Sequence, residues 1–153
     1  MTTLTLDTVK AEQQRLADMI ATLEAQARVQ TFALPAAEIT LQPGEHYAGI
    51  ILGKEGEPSY HLILMADSAE SLTWKQAMDW AAGARGELPT RREQALLYSN
   101  LKGHFESEWY WSAQQLESNE VYAWCQYFGN GGQDSNTRGG KLRARAVRRL
   151  TIQ

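Results

Sequence analysis

The sequence predicts an α+β fold with an antiparallel sheet, preceded by a separate N-terminal helix. Two observations predict it. β-rich runs come first, two helical segments follow, and β-rich runs return, whereas a parallel sheet would need strand and helix to alternate regularly. A seven-residue apolar spacing near the N-terminus stops before a proline-bearing segment, which divides residues 1–30 from 31–153. With 153 residues, 43% hydrophobic and 22% charged, the chain suits one ordinary domain plus an appendage.

Asp7 is placed to cap a helix running to about Arg28. Leu6, Gln13, Ile20 and Ala27 occupy one heptad core position, and Val9, Leu16, Leu23 and Gln30 the other. Such a helix is about 33 Å long. A single apolar stripe must be buried somewhere. It can fold back on its own domain or pair with copies of itself. Self-association into a dimer or trimer is the expectation, with Val9, Gln13, Leu16, Ile20 and Leu23 at the seam and polar Gln13 setting register.

Ala33–Ala37 reads as a linker because Pro35 stops helical continuation. Ile39–Leu41 reads as a short strand, closed by the turn Gln42-Pro43-Gly44. His46–Leu52 and Tyr60–Met65 form a hairpin around a Gly/Pro loop. Trp74–Ala84 is helical, with Trp74, Ala77, Met78, Ala81 and Ala82 on one face and Gly83 and Gly86 ending it. The sharpest local signal is Leu88-Pro89-Thr90-Arg91-Arg92-Glu93. Thr90 and Glu93 make a capping box that starts a helix to about Leu101, with Gly103 as its stop. Trp109–Ser112, Val121–Phe128 and Lys141–Leu150 read as strands, and 129–140 as a long polar loop.

Chemistry-bearing groups are sparse. Cys125 is the one cysteine, so no internal disulfide forms, and strand alternation buries it as an inert thiol. His46, His61 and His104 lack metal-ligand spacing. Asp134-Ser135-Asn136-Thr137-Arg138 starts like a calcium loop, but Arg138 replaces an oxygen ligand and the distal Glu is missing. Gly139-Gly140-Lys141 fails as a phosphate loop, with Ser135 and Leu142 at required positions. Glu106 and Glu108 have no visible partner. The expectation is a non-enzyme with no metal and no cofactor. Net charge is −3, giving no global reason to expect nucleic acid. The basic run Arg138, Lys141, Arg143, Arg145, Arg148 and Arg149 is expected to pair with acids such as Glu87, Glu93 and Glu106. No signal-peptide pattern opens the chain and no apolar run reaches membrane-spanning length, so the expectation is no membrane insertion and residence in a bacterial host's cytoplasm or an assembled virion.

Four segments in order carry a family likeness: Leu72-Thr73-Trp74 through Ala77; Gly86-Glu87-Leu88-Pro89-Thr90 through Glu93; Trp109-Tyr110-Trp111-Ser112; and Tyr122-Ala123-Trp124 through Phe128-Gly129, with Ala144-Arg145-Ala146-Val147-Arg148. Together, over about residues 59–150, they resemble a bacterial and phage domain family of C-type-lectin-like fold, related to the formylglycine-generating enzymes. Its members occur in phage tail-associated proteins and bacterial adhesins. The likeness implies a lectin-like domain with antiparallel sheets and two helices, used as a scaffold for variable binding loops. The chain departs from sugar-binding C-type lectins in lacking their Glu-Pro-Asn, Gln-Pro-Asp and Trp-Asn-Asp signatures and their disulfides, so any binding is expected to be calcium-independent. It also lacks the cysteine set of the formylglycine-generating enzymes.

The 129–140 loop is then either a plain connection or a recognition surface, since rigid scaffolds place binding groups on such loops. As a recognition surface its residues are Asn130, Gln133, Asp134, Asn136 and Arg138, flanked by Trp111 and Tyr127. The functional expectation is a phage or prophage tail-associated binding module, displayed on an oligomer and recognising a protein or glycan. The alternative is an intracellular phage accessory or structural protein that binds a host or phage protein by its helix.

Overall fold

A computed structural model describes residues 3–28 and 30–153. Met1, Thr2 and Val29, which belong to the predicted helical segment, lie outside the described residues. The chain divides into two units, Met1–Ala36 and Ala37–Gln153.

The first unit holds helix α1 (Leu6–Gln26). Its cap is Thr5 rather than the predicted Asp7. Thr5 accepts the N–H of Thr8 while the Thr8 hydroxyl oxygen accepts the N–H of Thr5, so one threonine pair satisfies two end groups. Asp7 instead lies in the first turn, where its charge suits the helix dipole. None of the helix is buried. Val9, Leu16, Ile20 and Leu23 are each 45–62% exposed, and Met19 beside them is equally open.

The second unit contains β1 (His46–Ile51), β2 (Tyr60–Leu72), α2 (Trp74–Gly83), α3 (Arg91–Leu101), β3 (Trp109–Leu116), β4 (Asn119–Tyr127), β5 (Gln133–Thr137) and β6 (Leu142–Thr151). The α+β class holds. The strands form one sheet in the order β1-β2-β6-β3-β4-β5. Four neighbour pairs are antiparallel, but β6 and β3 run parallel through the single pair Tyr110 and Arg143. The sheet is therefore mixed, which corrects the wholly antiparallel expectation. Two antiparallel ribbons meet at one narrow seam that no local pattern signals.

The helices cover opposite faces of this sheet. Leu97 of α3 packs with Leu62, Leu64, Tyr110, Phe128 and Val147. Ala77 and Ala81 of α2 pack with Trp111, Ala123, Cys125, Ala144 and Ala146. Neighbouring residues such as Tyr110 and Trp111 thus serve different cores, as the two-residue period of a strand requires.

Three element predictions change. Ile39–Leu41 is not a strand: no neighbouring strand pairs with it, and the Thr40 carbonyl instead accepts from the Arg148 guanidinium at 2.9 Å. β2 continues past Met65 to Leu72, because a bulge between Leu64 and Ser68 lets it keep pairing with β6. The predicted loop 129–140 contains β5. Both internal helices carry threonine capping boxes: Thr90 with Glu93, as predicted, and Thr73 with Gln76. After α2 the left-handed position is taken by Arg85 (φ 64°), not by a glycine.

Candidate functional site

The β4–β5 hairpin sits at one edge of the sheet. Its turn is built by Gly131, whose φ of +81° favours glycine and whose missing side chain leaves room for the Tyr98 ring. Asn130 closes the turn by accepting the Gly132 N–H at 2.9 Å. The strand itself, Gln133-Asp134-Ser135-Asn136-Thr137, has little strand propensity. It forms because β4 offers a ladder, in the register Gln126–Gln133, Cys125–Asp134, Trp124–Ser135, Ala123–Asn136 and Tyr122–Thr137.

That register splits the predicted site residues. Asp134 and Asn136 share a face with Cys125 and Ala123, whereas Gln133 shares the opposite face with Gln126. Trp111 is wholly buried in the α2-side core, and its indole N–H donates to the Leu72 carbonyl at 2.8 Å. It has no surface to offer a ligand, because a residue in the middle of β3 facing α2 is covered from above. Tyr127 is half-buried against Trp109, ring centres 5.4 Å apart. Arg138 lies 5.1 Å from the Trp74 ring and donates to the Glu120 carbonyl at 3.0 Å. The Asp134 carboxylate accepts the Ser135 N–H. The seven residues therefore do not converge on one loop surface.

Gln133 leads to a grouping that the sequence reading missed. Its side-chain amide donates to the Gln126 side-chain oxygen at 2.7 Å and to the Arg91 carbonyl at 2.8 Å. Its own side-chain oxygen accepts from Arg91 Nε at 3.0 Å. Gln126, fully buried, donates in turn to the Gln94 carbonyl, and the buried Gln94 amide donates to Tyr110 and Trp111 carbonyls. The outcome of this chain of amides is the pose of one guanidinium: Arg91 Cζ sits 3.5 Å from the centre of the Trp124 ring. Gln114 closes the arrangement from β3, accepting the Arg91 backbone N–H at 2.8 Å. It reaches there because β3 bulges between Trp111 and Gln115. Tyr122, Ser135 and Thr137 continue the same face by strand alternation. The only sequence signal for this set was the position of Arg91 directly after the Thr90 cap.

Elsewhere in the domain three arginines pair with acids. Arg148 pairs with Glu45 at 2.7 Å, Arg143 with Glu70 at 3.1 Å, and Arg149 with both Glu87 and Glu93. Two of the three predicted partner acids are thus found; Glu106 is not among them. Arg145 is buried and donates to the Met65 and His104 carbonyls, supplying the partner that the β2 bulge takes from Met65. The Tyr60 hydroxyl donates to Glu93, and burial with that carboxylate pushes its pKa up to about 12. Cys125 is buried as expected. Burial, aided by the negative charge of Asp134, raises its thiol to about 12, which removes the thiolate needed for attack.

No protein-family model and no curated protein matches the chain.

Proposed function

We propose that the protein is a non-enzymatic binding module of phage or prophage origin, tail-associated, with a lectin-like scaffold displayed on an oligomer and recognising a glycan or protein through the β4–β5 hairpin. The observation that carries this reading is the Arg91–Trp124 platform. A partly buried aromatic with a fixed polar group above it, on a rigid sheet, is the composition that recognition surfaces favour. The motif likeness set out above supports the scaffold and the phage setting. The open apolar stripe of α1 supports self-association, since Leu16, Ile20 and Leu23 otherwise stand in water.

Two measurements test this. Light scattering of the full chain is expected to give a dimer or trimer, and Leu16→Asp with Leu23→Asp a monomer. A full-length monomer at tens of micromolar sinks the display half. For recognition, labelled protein is applied to an array of bacterial surface glycans, where Trp124→Ala is expected to lose at least about tenfold in apparent affinity. Equal binding by the variant, or an empty array, argues against glycan recognition at this face.

A further inference from the structure

We infer that Arg91 is the anchor for a ligand carboxylate, and that its ligand is an acidic sugar of the uronic-acid kind. The inference rests on the binding reading above and names the chemistry of that same face.

Arg15, Arg143, Arg148 and Arg149 each pair with a carboxylate. Arg92, Arg138 and Arg145 spend terminal nitrogens on backbone carbonyls. The exposed Arg28 and Arg85 also pair with no carboxylate among the described residues, but neither is stacked on a ring or tied by a side-chain hydrogen bond there. Arg91 differs from all of these in being unpaired and yet held in place. Only its Nε is bound, to Gln133, and among the described residues no carboxylate lies within ion-pair distance of it. Its two terminal nitrogens are left with their donors unassigned while the plane of the group is held against Trp124.

Immobilisation is what turns this group into a receptor. A free arginine loses rotamer entropy when it binds. Here that cost is met in advance, by the indole below and by the amide relay from Gln133 through Gln126 to the backbone of Gln94. The free edge of a fixed guanidinium matches a carboxylate in bidentate geometry.

The neighbours select the source of that carboxylate. The same face presents the Tyr122 phenol and the Ser135 and Thr137 hydroxyls, with no aliphatic side chain on those strand positions. With the Trp124 ring covered by the guanidinium, what lies beside the free edge is the Tyr122 phenol and two strand hydroxyls. These suit a hydroxylated ring better than an acidic peptide, whose backbone and aliphatic stems need apolar contact.

The test is a titration of full-length 15N-labelled protein, followed by TROSY spectra that include the Arg91 Nε–H and Trp124 indole N–H signals. The probes are sodium glucuronate, glucose and N-acetylglutamate amide. Saturable shifts of both signals with glucuronate are expected, with Kd of order millimolar, as fits one small ligand on one face. Glucose is expected to bind at least about tenfold more weakly, and so is the glutamate derivative. Arg91→Lys, whose ammonium lacks the planar fork, is expected to lose about tenfold in glucuronate affinity while peaks remote from α3 and β5 stay in place. Should that variant unfold, the wild-type shifts at Arg91 Nε–H decide alone. Equal response to glucose overturns the carboxylate anchor, equal response to the glutamate derivative overturns the sugar, and no saturable shift at Arg91 overturns both. Array binding of a glycan that survives Arg91→Lys, without a glucuronate response, overturns this inference and leaves the binding reading standing.

Discussion

At the scale of the residue, single side chains settle questions that composition leaves open. Cys125 is 2% exposed, and its thiol is pushed up to about 12. Native protein at pH 8 is therefore expected to leave a thiol reagent such as Ellman's unreacted over an hour, and to titrate one thiol per chain in denaturant. Rapid native labelling contradicts the burial. Glu45 works in the opposite sense. Its hydrogen bonds to Arg148 hold the carboxyl below its ordinary value near 4.5. A depressed folded-state pKa stabilises above the unfolded value, and that stability is lost as pH falls through the folded pKa. Glu45→Gln is thus expected to cost about 2 kcal/mol at pH 7, and the gap from wild type to close below pH 4.5 in denaturant titrations. A gap unchanged at pH 3 refutes the pairing. Glu93, wholly buried between Tyr60 and Arg149, shows how a capping residue can also be a core anion. Its capping role was legible from a three-residue spacing. That it would pair with the basic C-terminal run was also expected; which arginine it meets was not legible, because Arg149 is 56 positions away.

At the scale of the element, legibility follows the range of the cause. α3 begins where the sequence says because Thr90 and Glu93 satisfy each other's backbone within one turn. Thr90→Ala is expected to destabilise the domain by about 1 kcal/mol, read as a fall in denaturation midpoint without a change in slope. A change under a few tenths would show the cap to be redundant. The start of α1 was misplaced by two residues because Thr8, an unconventional third-position partner, completes the box there. β5 lies at the other extreme. Gln133-Asp134-Ser135-Asn136-Thr137 reads as loop by every local measure, and only the ladder with β4 makes it a strand. Once it is a strand, alternation sends Gln133 to one face and Asp134 and Asn136 to the other. A site drawn as one loop therefore dissolves. Arg91 enters in its place, 42 positions from Gln133, joined by two side-chain hydrogen bonds that no spacing rule encodes.

At the scale of the whole molecule, the two units meet different physical demands. The second carries its own double core, one layer on each face of a sheet, and needs no disulfide to hold it. The first is a helix of 21 residues without a buried residue. In proteins most of a helix's stability comes from packing an amphipathic face rather than from propensity. The helicity of α1 is therefore expected to depend on protein concentration, falling on dilution in far-UV circular dichroism while the near-UV tryptophan signal of the domain stays constant. A helical signal independent of concentration over two decades would rule out association through α1. The class of the fold was legible, because it rests on short-range periodicity and the order of the elements along the chain. The placing of α2 and α3 on opposite faces and the parallel seam of β6 with β3 were not, since they depend on which strands meet after the chain has turned back on itself.

The edge of β5 bears on any assembly of such domains. The ladder bonds that flank it, Tyr127 N–H to Gly132 and Arg138 N–H to Val121, set the phase so that Ser135 and Thr137 turn their peptide groups outward. Asp134 covers the Ser135 N–H with its own carboxylate, and the Gly140 N–H covers the Thr137 carbonyl. Copies tethered to one helical bundle would meet at effective concentrations near millimolar, where bare sheet edges zip together. With the Ser135 N–H and the Thr137 carbonyl already satisfied inside the hairpin, a neighbouring edge brought up on a common stalk would find a broken row of donors and acceptors to pair with.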